Sequence, residues 1–86
     1  MLINNEELIS LYTQMLLIRR FEEKVAHEFA KGSMPGIVHS YIGQEAVAVG
    51  VCANLKIEDH IVSNHRGHGH CIAKGADLKR MMAEIY

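Results

Sequence analysis

Residues 5–30 read NEELISLYTQMLLIRRFEEKVAHEFA. Leu8, Leu11, Met15, Ile18, Phe21, Val25 and Phe29 follow one another at spacings of 3, 4, 3, 3, 4 and 4, which is one face of an α-helix. Arg19, Arg20, Glu22, Glu23, Lys24 and Glu28 mostly decorate the other side. Asn4 precedes the run as a cap, and Glu6 and Glu7 place carboxylates near the positive end of the dipole. Lys31-Gly32 supplies a cation and a terminating glycine. The spacing therefore predicts a helix over about 5–30.

Outward from this helix, Ser33-Met34-Pro35-Gly36 breaks the chain, and Ile37–Ile42 reads as a short extended segment or an ordered loop. A second helix is expected over about 44–55. Its residues Ala46–Ala53 are apolar on every side. A helix apolar all round must be covered on all faces, and so short a chain can hardly surround it. Glu58-Asp59 reads as a turn, and 60–63 as a short strand. The stretch 65–70 is a Gly/His-rich loop, followed by a helical turn ending at Gly75. Asp77 is a candidate N-cap for a last helix over 77–86, with Leu78, Met81, Met82 and Ile85 on one side. That helix is still amphipathic at Tyr86. The reading is a mostly α chain, 1–86 forming one incomplete domain at the N-terminus of a longer polypeptide.

The length of 86 residues allows one domain at most. Nine Lys and Arg against ten Asp and Glu argue against a general nucleic-acid binder, which needs a basic face. No long uncharged apolar run suggests a membrane span. The start Met1-Leu2-Ile3-Asn4-Asn5-Glu6-Glu7 lacks the basic and apolar regions of a signal peptide, so a cytoplasmic location is expected. Cys52 and Cys71 form no metal-type pair and read as two reduced, buried thiols.

Five of the six histidines fall between His39 and His70. In Ser63-Asn64-His65-Arg66-Gly67-His68-Gly69-His70, one arginine stands beside two closely spaced glycines at the end of the expected short strand. Arginine donates a forked pair of hydrogen bonds to phosphate, glycines let backbone N–H groups approach, and His65 adds a donor. The alternatives are a solvated loop whose Arg66 pairs with a carboxylate, and a metal site. His65, His68 and His70 are spaced by 3 and 2, which fits no common metal-ligand spacing, so no metal ligands are assigned. His39 is either structural or catalytic. Glu45 near a helix start suits the dipole, and Gln44 suits orphan N–H groups there.

Arg19–Lys24, Pro35-Gly36 with His39, Tyr41-Ile42-Gly43-Gln44-Glu45-Ala46, His65–His70 and Ala73-Lys74-Gly75 occur in one order. Together they resemble the N-terminus of the alpha subunit of thiamine-diphosphate-dependent 2-oxo acid dehydrogenases, over about Leu8 to Tyr86. His65 with the continuation Gly67–Cys71 is most similar to acetoin dehydrogenase. The resemblance implies an α/β thiamine-diphosphate-binding parent fold. It implies that His65 and Arg66 contact the cofactor diphosphate, and that His39 lies near cofactor and substrate and stabilises a substrate carboxylate or an oxyanion. The implied partners are a beta subunit, which supplies the aminopyrimidine-activating glutamate, and a lipoyl-bearing acyltransferase. Glu45 is therefore not assigned that glutamate's role. The Mg²⁺ motif of this family lies beyond Tyr86. The implied activity is cleavage of acetoin or oxidative decarboxylation of a 2-oxo acid such as pyruvate, with the 86 residues inactive alone. A second reading is a non-enzymatic helical remnant that self-associates through Ala46–Ala53.

Overall fold

The computed structural model describes residues 3–86; Met1 and Leu2, part of the N-terminal stretch read above, lie outside them. Helix α1 spans Asn5–Ala30, α2 Glu45–Cys52, α3 His68–Ala73 and α4 Leu78–Ile85. The side chain of Asn4 accepts a hydrogen bond from the Glu7 N–H at 2.8 Å, which satisfies one orphan donor of the first turn. At the other end Gly32 takes φ 78°, a left-handed conformation in which glycine carries no Cβ penalty. Both ends of the predicted helix are found where the cap residues stand.

Helices α2 and α3 pack against each other and against α1. The buried apolar residues are Ile18, Phe21, Val25, Met34, Tyr41, Ala48, Val49 and Ile72. Leu11, Met15, Leu78, Met81, Met82 and Ile85 pack partly buried around them. The core thus sits on the second half of α1. Leu8, at the start of the apolar stripe, is 51% exposed and Phe29, at its end, 40%. Glu22 does not decorate the solvent side but is buried. It lies four residues after Ile18 and three before Val25, so helical spacing puts it inside the stripe.

The segment 60–63 is not a strand, and among the described residues there is none. A strand exists through a ladder to a neighbour, and Val62 projects 97% exposed. The second half of the Gly/His loop is helical, α3 beginning at His68. Helix α2 stops at Cys52, and turns continue to Leu55 through bonds such as Leu55 N–H to the Cys52 carbonyl at 3.0 Å. Gln44 and Asp77 occupy N-cap positions without a side-chain capping bond. The thiols are free, Cys52 half-buried and Cys71 exposed rather than buried. Of the apolar run in α2, Ala48 and Val49 are buried while Val47 and Val51 face outward, 64% and 56% exposed. Helices α1 and α3 cover one side of α2 only.

Gly69 is required by close approach. A Cβ built on it would stand 2.2 Å from Cδ2 of the buried Tyr41 ring, whereas one on Gly50 meets nothing within 4 Å. Gly69→Ala should therefore destabilise the chain by about 1–3 kcal/mol through overpacking. Gly50→Ala, in the interior of α2, should stabilise it by about 0.5–1 kcal/mol. Urea midpoints of the two variants check this; equal effects would mean that Tyr41 yields.

Candidate functional site

His39 and Ser40 lie in the loop entering α2, and His65 and Arg66 in the loop entering α3. The two loops meet. The rings of His39 and His65 stand edge to face with centroids 4.8 Å apart. Nη1 of Arg66 donates to the Ser40 carbonyl at 2.8 Å. The Arg66 backbone N–H donates to Oδ1 of Asn64 at 2.9 Å, closing a tight turn that turns the arginine toward the neighbouring loop. Both histidines are exposed and Arg66 is half-buried. Among the described residues no ion pair uses Arg66, whose one side-chain partner is a neutral carbonyl. The alternative of an arginine neutralised by a carboxylate is not what the structure has. The corner holds a cationic fork and two imidazoles.

Further contacts seat these loops, and the sequence reading missed them as a group. Tyr41 packs on Gly69 and stands edge to face with His70, centroids 5.1 Å apart. Ser63 Oγ and His70 Nδ1 are hydrogen bonded at 2.5 Å, which closes the second loop on itself. His68 Nδ1 bonds Oε1 of the buried Glu22 at 2.5 Å. Arg19 Nε donates to Oε2 of Glu45 at 2.6 Å, while the Gly43 N–H donates to the same carboxylate at 3.1 Å. The signal for Glu22 was its place in the apolar stripe. For Glu45 it was an arginine on the flank of that stripe, whose partner no local spacing reveals. Among the described residues no group of three His, Cys, Asp or Glu side chains is arranged to hold a metal ion. No helix of the described residues is long and apolar enough to cross a membrane.

The family model described as the dehydrogenase E1 component matches residues 13–86. The chain belongs to the dehydrogenase E1 component family. It is 60% identical over 84 residues to the alpha subunit of acetoin:2,6-dichlorophenolindophenol oxidoreductase from Bacillus subtilis, covering 98% of this chain and 25% of that protein. It is 50% identical over 84 residues to the subunit of the same name from Cupriavidus necator, again 98% of this chain and 25% of that protein. The alpha subunit of the pyruvate dehydrogenase E1 component from Zymomonas mobilis is 47% identical over 83 residues, 95% of this chain and 23% of that protein. The chain spans about a quarter of the length of these curated relatives. No solved structure is matched significantly. The resemblance read from the five motifs is thus a family membership.

In this E1 chain the Arg19 guanidinium holds the Glu45 carboxyl below the usual carboxylate range, the hydrogen bond outweighing the opposing effect of burial. A carboxyl whose pKa is lower folded than unfolded adds stability above its unfolded value, and that stability is lost as pH falls through the folded value. Stability should therefore drop on acidification below about pH 5. Arg19→Met should be less stable at neutral pH and show a flatter acid limb. Denaturant midpoints measured against pH for both chains test it; parallel curves would remove Arg19–Glu45 as the source.

Proposed function

We propose that the chain forms part of the alpha subunit of a thiamine-diphosphate-dependent dehydrogenase. Such an enzyme cleaves acetoin, or oxidatively decarboxylates a 2-oxo acid such as pyruvate, and passes the acyl group to a lipoyl carrier. The observation that carries this reading is the meeting of His39, His65 and Arg66 from two separate loops in a chain of the E1 family. The high identity to two acetoin oxidoreductase alpha subunits supports acetoin as the substrate. The remainder of the subunit, a beta subunit and a lipoyl-bearing acyltransferase would complete the assembly, in the cytoplasm.

The residues present fit the diphosphate. Among the described residues no carboxylate pairs with the Arg66 guanidinium, and the exposed His65 precedes it in the same loop. The described residues do not fit the Mg²⁺ ion, for which they group no set of ligands. When bound, thiamine diphosphate supplies the carbanion chemistry of the reaction. Arg66 and His65 bind and orient its diphosphate end. His39, whose ring stands edge to face with His65, would meet a substrate carboxylate or a developing oxyanion.

A second reading, self-association of the 86 residues, rests on one further observation. Val47, Val51 and Val62 project from one apolar cleft of about 120 Å³ that Ile61, Cys52 and His70 also line. Alone, the chain covers this face by pairing with a second copy. Sedimentation at micromolar concentration would then show a dimer or larger, and a cooperatively melting monomer would reject it.

The enzymatic reading is tested in the complete subunit assembled with its beta partner. Loss of a charge-assisted contact costs about 1.5–3 kcal/mol, so Arg66→Ala should weaken thiamine diphosphate binding roughly 10- to 150-fold. His65→Ala should weaken it in the same direction with saturated turnover little changed. His39→Ala should lower turnover about 10²–10³-fold at saturating cofactor. Turnover measured against cofactor concentration for each variant decides. Lower melting temperatures with unchanged kinetics per folded molecule would make all three residues structural.

A further inference from the structure

We propose that Glu22 of α1 and His68 of α3 form a positioning pair that sets the orientation of Arg66 and His65 for an incoming diphosphate. The proposal rests on the reading of these two residues as the diphosphate corner and extends it to a carboxylate in the core.

The observations are these. Glu22 is 1% exposed. Its Oε1 meets Nδ1 of His68, and among the described residues its Oε2 has no hydrogen-bond partner. The cleft beside it is lined by Val25, Ala26, Phe29, Val38 and Ser40, which offer it little polarity. A carboxylate buried with one bond and one stranded oxygen is an expensive way to fill a core, and a leucine there would pack as well. The one thing Glu22 does that a leucine would not is hold His68.

His68 is the first residue of α3 and lies two residues after Arg66. Helix α3 has six residues, too few to be stable without tertiary anchors. Its far end is anchored by the buried Ile72, and Gly69 rests on Tyr41. At its start, the His68 ring lies edge-on to Phe21 with centroids 5.8 Å apart and is hydrogen bonded to Glu22. Release of that bond removes the anchor at the first residue of α3, and the backbone carrying Arg66 and His65, two and three residues before it, is free to shift. Arg66 would keep its bond to Ser40 while its remaining donors lose their alignment. The expected consequence is weaker binding of the diphosphate with chemistry unchanged once it is bound.

The test uses the complete alpha subunit assembled with its beta partner, titrated calorimetrically with thiamine diphosphate and Mg²⁺. Glu22→Leu keeps the volume and removes the bond, and should raise the dissociation constant about tenfold while turnover at saturating cofactor stays within about twofold. Glu22→Gln should restore binding to near the wild-type value, because an amide can donate to or accept from Nδ1 in either tautomer. Arg66→Ala runs in parallel. If Arg66→Ala weakens binding and Glu22→Leu does not, the positioning role is overturned and the diphosphate corner stands. If Arg66→Ala leaves binding unchanged, the corner fails and the proposal falls with it. A lowered melting temperature for Glu22→Leu with unchanged cofactor affinity also overturns the proposal. If Glu22→Leu does not fold, Glu22→Leu with His68→Leu, which strands neither polar partner, is measured against the same expectation.

Discussion

The Tyr41 ring occupies the space that a side chain at position 69 would need. This contact joins the loop that enters α2 to the first turn of α3, and the candidate site depends on it. With Tyr41 seated at 2% exposure, Ser40 and His39 are held beside Asn64, His65 and Arg66, although 26 residues separate Ser40 from Arg66. A smaller ring would loosen the junction, and a larger residue at 69 would force it apart. The bond from Arg66 to the Ser40 carbonyl is part-buried and contributes modestly beside this steric contact.

Two buried carboxylates support the same junction by different means. Glu45 is well satisfied, with Arg19 on one side and the Gly43 N–H on the other, and it fastens the end of the first loop to α1. Glu22 is poorly satisfied, with one imidazole partner and an oxygen left over. The first arrangement suits a structural clamp. The second resembles groups that are retained for what they hold rather than for the stability they add.

Much of this architecture is legible in the residues. The periodicity from Leu8 to Val25, the Asn4 cap and Gly32 define α1 at both ends because those signals are local and satisfied within one turn. The amphipathic run after Asp77 marks α4, although Asp77 makes no side-chain capping bond. The segment 60–63 misleads because Ile61 and Val62 have strand propensity, but a strand is made by a partner, and among the described residues no segment pairs with it. The loop reading of 65–70 fails at His68, where contacts with Phe21 and Glu22 on α1 stabilise a helix start that the local Gly and His residues disfavour. His39, His65 and Arg66 are legible as residue types suited to an anion. Their juxtaposition, and the roles of Glu22 and Glu45, depend on contacts between distant parts of the chain that no spacing rule encodes.

The contact between Tyr41 and Gly69 also bears on how such chains diverge. Two positions that compete for one volume cannot drift independently: an added methyl at 69 is tolerated only after the residue at 41 has shrunk or turned. Substitutions at the pair are therefore ordered in time, the ring giving way before the glycine. A lineage that took the steps in reverse would pass through a protein whose two site loops do not meet.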